Sequence, residues 1–316
     1  MNRTSCRENI MARSVTKSAQ KGLHHKKHGA GHYVAWACFI FILLITVFPF
    51  FWMLRSSFAS NAALISDPGA LWPSESTLDA YRRVFGLTTP EESIAQGGAG
   101  ASINFWLYLR NSAIVASVVT VGQVLFSAMA AYAFARLRWR HRDVVFSIFI
   151  AALMVPSIFT AIPNFVLIKD LGLLNTFAGL VLPTFFMTPF AIFFLRQFFL
   201  GIPREIDEAA MIDGAGRFKV FFKVIVPMAS APITTLAVLT FINSWNEYFW
   251  PLLVGQDENV RVLTVALGIF RSQTPQGSPD WSAMMAATLI AAVPIVILFS
   301  ILGKRIVNSI GFTGIK

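Results

Sequence analysis

Residues 202–216 form an acidic segment that ends in two glycines and has the composition of a short helix followed by a turn. Pro203 suits the first position of that helix, where its missing N–H needs no partner. The acidic side chains after it suit the positive end of the helix dipole. They are Glu205, Asp207 and Glu208. Gly214 and Gly216 predict the stop, because glycine accepts the left-handed backbone that turns a chain after a helix.

This helix has the chemistry of a docking surface. Ala209 and Ala210 are small enough for a partner to approach closely, and the neighbouring charges would set the register of the contact. A second helix, opening over 217–223, would complete an elbow between two longer segments. The alternative is a solvated connector in which Arg204 and Glu208 form an ion pair one helical turn apart, worth about 0.2–0.5 kcal/mol.

A second polar group interrupts an apolar segment near its C-terminal end. It comprises Asn243, Trp245, Asn246, Glu247 and Tyr248. Its amides can exchange hydrogen bonds with a hydroxyl-rich ligand, and its aromatic rings can stack on the apolar face of a sugar ring. An ionised side chain at the centre of a bilayer costs about 3 kcal/mol, so Glu247 is expected to face a cavity, a partner helix or a wet interface. A solute pathway and an interfacial aromatic belt with helix-joining polar groups are both compatible with this pattern.

The elements that carry these groups are predicted to be membrane spans. Of the 316 residues, 55% are apolar and 13% are charged, against roughly 45–50% and 25% in soluble domains. A mean hydropathy of +0.62 means that lipid must solvate much of the chain. Six apolar segments are long enough to span a membrane. They cover residues 33–54, 111–135, 144–166, 177–195, 229–254 and 282–302.

Basic residues are distributed unevenly between the connections. The N-terminal tail and the segments 136–143, 196–228 and 303–316 contain nineteen Lys and Arg residues, whereas the alternate connections contain seven. By the positive-inside rule, both termini are predicted to lie in the cytoplasm. The net charge of +10 therefore reports membrane topology, and no nucleic-acid partner is predicted.

The predicted organisation follows from these spans. It comprises a basic cytoplasmic tail (1–32), a first span (33–54), an extracytoplasmic segment (55–110), a core of five spans with a loop at 202–227 (111–302) and a cytoplasmic tail (303–316). Within the extracytoplasmic segment, Leu78, Tyr81 and Phe85 predict one face of a two-turn helix. The glycines between 97 and 100 predict partial disorder there.

Prolines punctuate the third and fourth predicted spans. They are Pro156, Pro163, Pro183 and Pro189. Because proline lacks an N–H and displaces the preceding turn, each is expected to kink its span. Static packing kinks and hinges are both compatible with this pattern.

Motifs for catalysis on this chain alone are missing. There is no G-x-x-x-x-G-K-[S/T] loop to cradle nucleotide phosphates, no G-x-S-x-G elbow and no H-E-x-x-H helix. Cys6 and Cys38 have neither disulfide nor metal spacing. The histidines of the tail (His24, His25, His28 and His32) could bind a metal, but a solvated cluster is the simpler interpretation. We therefore predict no enzyme activity, no cofactor and no metal site.

The acidic segment carries a family resemblance. Glu208-Ala209-Ala210, three residues, Gly214, nine residues and then Val224-Ile225-Val226-Pro227 resemble the EAA loop of ABC importer permeases. The family pattern has Ile and Leu where this chain has Val224 and Val226, which are conservative apolar exchanges. Further stretches resemble the carbohydrate-uptake branch, in particular the smaller permease of the maltose and glycerol-3-phosphate type. They are residues 111–112, 130–137, 154–156, 195–199, 245–252 and 284–287.

The resemblance implies an all-α polytopic membrane protein with six transmembrane helices and the ABC type I importer permease fold, in a bacterial inner membrane. It implies a sugar or related polyol as solute. The implied partners are a second permease subunit, two cytoplasmic ATP-binding subunits and an extracytoplasmic solute-binding protein. In that family the EAA helix fits a groove on the ATPase, whose closure around ATP tilts the membrane helices. The predicted coupling residues are Glu205, Glu208, Ala209, Ala210, Asp213 and Gly214.

A transporter or channel driven by an ion gradient is the alternative function. Inverted repeats with paired broken helices would favour it, and the sequence shows no such repeats. A membrane enzyme would need a catalytic constellation, and the motif search finds none.

Overall fold

The computed structural model describes residues 30–73, 75–98, 100, 103–272 and 279–311. Within these ranges every regular element is helical, and an isolated bridge between Ala59 and Ser76 is the strand-like pairing found there. The predicted all-α fold is confirmed. The expectations for residues 1–29, which include His24, His25 and His28, concern a part of the chain outside the described residues.

Sixteen α-helices and one π-helical turn make up the described chain. They are α1 (Ala30–Ser57), α2 (Asn61–Ser66), α3 (Asp79–Val84), α4 (Pro90–Ala95), α5 (Phe105–Arg136), α6 (Arg142–Ala152), α7 (Ser157–Asp170), α8 (Phe177–Phe185), α9 (Pro189–Leu200), α10 (Arg204–Ile212), α11 (Arg217–Val220), the π-helical turn Phe221–Ile225, α12 (Val226–Met228), α13 (Ser230–Asn246), α14 (Phe249–Val254), α15 (Leu263–Ser272) and α16 (Trp281–Gly311).

Three helices are individually long and apolar enough to cross a membrane. They are Gly31–Ser57 within α1, α5, and Trp281–Gly303 within α16. Three bent helix pairs pass the same test together: α6 with α7 at 99°, α8 with α9 at 44°, and Arg217–Met228 with α13 at 81°. Length and composition therefore allow three to six spans, the larger number holding if each bent pair crosses once.

The predicted third and fourth spans are each bent at one of their prolines, where the helix is broken into two. Pro156 caps the start of α7, and Pro189 occupies the first turn of α9. Each break therefore falls just before or at a proline that opens the following helix, since proline cannot donate to the preceding turn. Pro163 and Pro183 lie inside α7 and α8, which continue through them.

The chain separates into two compact units between residues 52 and 53. In the first unit the residues from 31 to 51 are exposed, as an apolar helix solvated by lipid would be. The second unit is organised around α5, which packs against α8, α9 and α13. One apolar cluster beneath α10 centres on Leu195, Phe199 and Ile225, all fully buried.

Helices occupy much of the described part of the segment 55–110. The expectation of partial disorder near residues 97–100 stays a prediction, since residue 99 lies outside the described residues. The predicted two-turn helix corresponds to α3. Ala80, Arg83 and Val84 are buried, whereas Leu78 is 60% exposed. Arg83 faces inward because a buried carboxylate receives it, and no local pattern reveals that partner.

Candidate functional site

Helix α10 begins at Arg204 and forms the first arm of the elbow, which we define as residues 202–227. Pro203 is the cap preceding the helix, one position earlier than predicted. Glu205 and Asp207 lie in the first turn, where the helix dipole favours negative charge. The acidic N-terminus predicted from the sequence is therefore present.

Gly214 ends this arm in a Schellman motif. Its φ of +79° lies in the left-handed region that glycine accepts without a Cβ clash. The N–H of Ala215 donates to the carbonyl of Ala210 at 3.0 Å, and the N–H of Gly214 donates to the carbonyl of Met211 at 3.0 Å. These bonds satisfy carbonyls that a helix end would otherwise leave unpaired, and they fix the direction in which the chain leaves α10.

The two sides of α10 have different surroundings. Five of the six predicted coupling residues are exposed. They are Glu205, Glu208, Ala209, Asp213 and Gly214. Ile212 adds an apolar side chain that is 86% exposed beside these acids. The sixth, Ala210, instead packs against the buried cluster around Leu195 and Phe199. The exposed side therefore combines acidic and apolar groups, while the inner side joins the elbow to the helix core.

A buried ion pair also joins the elbow to α5. The Nε atom of Arg136 lies 3.6 Å from Oδ2 of Asp207, and the two side chains are 3% and 10% exposed. Nη2 of Arg136 donates to the carbonyl of Ile202 at 2.6 Å. Burial raises the pKa of Asp207 above 3.8; Arg136 and Arg204 act in the opposite direction, and Glu208 raises it further. Sequence reasoning placed Asp207 in the helix but could not identify Arg136 as its partner.

The second arm of the elbow contains a π-helical turn, Phe221–Ile225. Such turns insert one residue into a helix and are common where function requires a local adjustment. Phe221 and Ile225 are buried in the same cluster as Leu195. The ion pair between Arg204 and Glu208, which belonged to the alternative interpretation as a solvated connector, is not formed within 4.0 Å among the described residues.

The other candidate site is a cavity of ≈ 200 Å³ lined by residues of α5, α8, α13 and α14. Its polar lining residues are Ser112, Gln123, Thr184, Thr240, Asn243, Ser244 and Glu247. Trp250 and Leu180 contribute to its apolar wall. The hydroxyls, amides and carboxylate could exchange hydrogen bonds with a hydroxyl-rich ligand, and the indole could contact an apolar face.

The five predicted pathway residues do not all reach this cavity. Asn243 and Glu247 line it. Trp245 is buried elsewhere, and its Nε1 donates to the carbonyl of Ala291 at 3.2 Å. Asn246 donates from Nδ2 to the carbonyl of Ile242 in its own helix, and the ring of Tyr248 lies against Gly268.

Glu247 divides the predicted fifth span, 229–254, into two helices. Its backbone is extended, and α13 ends before it. One carboxylate oxygen, Oε1, accepts from the N–H groups of Phe249 and Trp250 at 3.0 and 3.2 Å. The carboxylate therefore accepts hydrogen bonds from the open N-terminus of α14, which supplies a structural reason for a charge between two apolar helices.

Sequence reasoning missed several of the residues that line this cavity. Gln123 carried a usable signal, since an amide in the middle of an apolar span is unusual. Its Nε2 donates to Oγ1 of Thr188 at 3.1 Å. Ser112 appeared only as part of the family resemblance, and its Oγ accepts from the N–H of Leu263 at the start of α15. Thr184 and Thr240 gave no sequence signal, because hydroxyls are common in helices.

A polar clamp was also missed. We define it as Asn61, Arg83, Asp280 and Ser282. Arg83 Nε donates to Asp280 Oδ2 at 2.8 Å, and Nη2 donates to Oδ1 at 3.1 Å. Asn61 Nδ2 donates to the same Oδ1 at 2.8 Å, and Arg83 Nη2 also donates to Ser282 Oγ at 2.8 Å. The clamp thereby ties α2 and α3 to the start of α16.

Comparison with known proteins gives consistent matches. The model of the family described as "Binding-protein-dependent transport system inner membrane component" matches residues 123–311. The trehalose/maltose transport system permease protein MalG of Thermococcus litoralis is 34% identical over 279 residues, covering 88% of this chain and 94% of the relative. The arabinooligosaccharides transport system permease protein AraQ of Halalkalibacterium halodurans is 31% identical, with coverage of 88% and 94%.

A solved structure supports the fold. A chain in the crystal structure of a bacterial ABC transporter involved in the import of the acidic polysaccharide alginate superimposes with a TM-score of 0.71 at 23% identity. The match covers 89% of this chain and 98% of that one. The expected ABC importer permease fold is therefore confirmed. Since the family match spans more than half of the chain, this protein belongs to the family of binding-protein-dependent transport system inner membrane components, the permease subunits of ABC importers.

Proposed function

We propose that this permease subunit carries a sugar, oligosaccharide or related polyol into the cytoplasm. The single observation that supports this most strongly is its likeness, at 31–34% identity, to permeases named for trehalose or maltose and for arabinooligosaccharides. A permease named for sn-glycerol-3-phosphate, from Brucella abortus, is 31% identical over 270 residues. An ion-driven transporter, the alternative function, has no observation that favours it.

In the proposed arrangement the chain crosses the membrane six times and both termini lie in the cytoplasm. The three long helices and three bent pairs supply six crossings if each pair crosses once. The excess of nineteen over seven basic residues supports the orientation. Under this topology the elbow is cytoplasmic, and the polar clamp is extracytoplasmic.

The proposed partners are a second permease subunit, two cytoplasmic ATP-binding subunits and an extracytoplasmic solute-binding protein. ATP would be hydrolysed on the ATP-binding subunits, since this chain has no phosphate-binding loop. The exposed acids and Ile212 on α10 supply both charge and apolar area for an ATPase groove. Motion of α10 would pass to α5 and α9 through Ala210 and the pair of Asp207 with Arg136.

The cavity between α5, α8, α13 and α14 is the proposed solute pathway in this subunit. Asn243 and Glu247 are its proposed polar contacts, with Gln123 and Thr240 added from the structure. Trp245, Asn246 and Tyr248 are proposed to shape the pathway from outside the cavity, because their side chains contact neighbouring helices or their own.

Reversal of charge at Glu208 tests the coupling proposal. We expect Glu208→Lys to reduce ATP-driven sugar uptake at least tenfold in proteoliposomes containing the complete transporter, because a like-charge contact costs more than about 1.4 kcal/mol. Membrane insertion should be unchanged. Glu75→Lys, another exposed acid, is the matched control and should leave uptake unaffected. Wild-type uptake by the Glu208→Lys complex would overturn the assignment of α10 as the coupling helix.

The solute itself requires a separate measurement. Titration of the co-purified solute-binding protein with a panel of sugars and polyols should identify one that binds, and the same compound should stimulate ATP hydrolysis by the complete transporter. Stimulation by a non-carbohydrate alone would contradict the proposed substrate class.

A further inference from the structure

A basic pocket lies at the turn between α5 and α6, beside the first residue of α10. Its volume is ≈ 490 Å³. The charged and aromatic side chains that line it are Arg138, Trp139, His141, Arg142, Asp143 and Arg204. Arg204 is also part of the elbow, whereas the other lining residues belong to neither the elbow nor the solute cavity.

The arginines of this pocket are only partly neutralised. Arg142 donates from Nε to Oδ1 of Asp143 at 2.9 Å and from Nη2 to Oδ2 at 3.2 Å. Among the described residues, neither Arg138 nor Arg204 has a carboxylate oxygen within 4.0 Å. Asp207, whose charge interacts with that of Arg204, is paired with Arg136. Three arginines and one aspartate leave the lining with a charge of +2 when His141 is neutral.

The surroundings of the pocket are apolar on one side. Val144, which also lines it, is 60% exposed, and Ile148 one turn further along α6 is 63% exposed. These two side chains share a face of the helix and lead away from the basic residues. Trp139 packs its ring against Phe134 at 5.6 Å and remains 40% exposed, as indoles do at a membrane interface.

A molecule that matches both features has a phosphate and a hydrocarbon chain. Guanidinium groups bind phosphate oxygens through paired, charge-assisted hydrogen bonds. The exposed side of α6 would contact acyl chains, whereas a free phosphate ion would use the basic residues alone. We propose that this pocket binds the headgroup phosphate of an anionic phospholipid. The inference rests on the proposed function, because it requires the ends of α5 and α6 to lie at the membrane surface.

Binding would connect the lipid to the elbow. Arg204 is the first residue of α10, and Arg138 follows the end of α5 by two positions. A phosphate bound between these two arginines would link α10, which carries the exposed acids, to α5, around which the second unit is organised. Anionic lipid would thereby restrain the start of α10 relative to α5 while leaving its exposed side available.

The test measures lipid retention on the complete transporter. The complex is placed in nanodiscs of phosphatidylcholine with 30% phosphatidylglycerol, extracted into detergent, and its bound lipids are counted by native mass spectrometry. The double variant Arg138→Gln/Arg204→Gln is compared with Lys219→Gln/Lys223→Gln, a matched loss of two exposed charges in the elbow outside the pocket. We expect the first to weaken phosphatidylglycerol retention about twenty-five-fold, since each basic residue contributes about fivefold, and the second to change it less than threefold.

Two results would overturn the inference. The first is equal retention of phosphatidylglycerol in the pocket variant and the wild type. The second is displacement of phosphatidylglycerol from the wild type by millimolar inorganic phosphate, which would assign the pocket to a free anion. Sugar uptake by the same complexes in phosphatidylcholine alone is recorded separately. Equal lipid retention in the pocket variant and the wild type, with normal sugar uptake by the wild type, contradicts only the lipid site, whereas absence of uptake in the wild type contradicts the proposed function.

Discussion

The polar clamp and the elbow each contain a buried arginine–aspartate pair, and the two pairs are bonded very differently. In the clamp, Arg83 reaches both carboxylate oxygens of Asp280 at 2.8 and 3.1 Å, and the side chains are 5% and 1% exposed. In the elbow, Arg136 and Asp207 stand 3.6 Å apart. The Nε of Arg136 and the Oδ1 of Asp207 are buried and have no hydrogen-bond partner within the described chain.

This difference indicates that the pair in the clamp forms a fixed connection and that the pair in the elbow forms an adjustable one. Burying two charges is favourable only when their geometry and the surrounding hydrogen bonds offset the lost hydration. Asn61 and Ser282 complete the clamp, so any displacement of Asp280 would break several bonds at once. The elbow pair carries the cost of burial, visible in the raised pKa of Asp207, but has fewer bonds to lose. A joint that changes position during transport would need the second kind of pair.

Removal of Asp280 should produce the largest effect. Asp280→Ala leaves Arg83 charged and buried, which typically costs about 3–5 kcal/mol. We expect the free energy of unfolding, measured by denaturant titration in detergent micelles, to fall by that amount. The control Glu75→Ala removes an exposed acid and should change it by less than about 0.5 kcal/mol. A clamp variant as stable as the control would contradict a fixed connection.

Removal of Arg136 should lower the free energy of unfolding by less than removal of Asp280 does. Its loss leaves Asp207 buried, but the carboxyl group can take up a proton, and its pKa is already raised. We expect Arg136→Ala to lower the free energy of unfolding by about 1–3 kcal/mol in the same titration. The paired replacement Arg136→Leu/Asp207→Leu should recover most of this loss, because no buried charge remains. Equal losses from Asp280→Ala and Arg136→Ala would remove the distinction between the two pairs.

The turn after α10 should be sensitive to a single methyl group. Gly214→Ala places a side chain at φ +79°, which costs about 1–2 kcal/mol. Gly216 has a φ of −70°, so Gly216→Ala is a matched control with an expected change below about 0.5 kcal/mol. Hydrogen exchange at Gly214 and Ala215 should accelerate only in the first variant. Similar hydrogen-exchange rates in the two variants would mean that the left-handed turn at Gly214 does not stabilise the structure of the elbow.

Acid should stabilise the folded protein slightly through protonation of Asp207, and this is the smallest expected effect. Because burial raises the pKa of Asp207 in the folded protein, the folded state binds the proton more strongly than the unfolded state. The free energy of unfolding of the wild type, relative to Asp207→Asn, should therefore rise as the pH falls from 7 through the raised pKa towards 3.8. Glu75→Gln serves as the control and should show no such trend. A relative loss of stability in acid would mean that the attraction of Arg136 outweighs burial.

Local features of the sequence predicted much of the elbow. Gly214 ends α10 as expected, because a left-handed residue after a helix is a short-range requirement of the backbone. The acidic residues of the first turn of α10 were also predicted, because their interaction with the helix N-terminus is likewise short-range. The predicted helix boundaries were least accurate where a helix ends inside an apolar segment. The break at Glu247 depends on hydrogen bonds to Phe249 and Trp250, and the apolar composition on both sides concealed it.

The sequence alone therefore determined that the chain is helical, apolar enough for a membrane and equipped with an acidic elbow, since these properties depend on composition and on neighbours within a few residues. Only the tertiary structure decided which side chains meet. Arg83 and Asp280 are 197 residues apart, and the solute cavity takes its lining from four helices. Such contacts depend on how the helices pack, and many distant polar residues could satisfy the same local pattern.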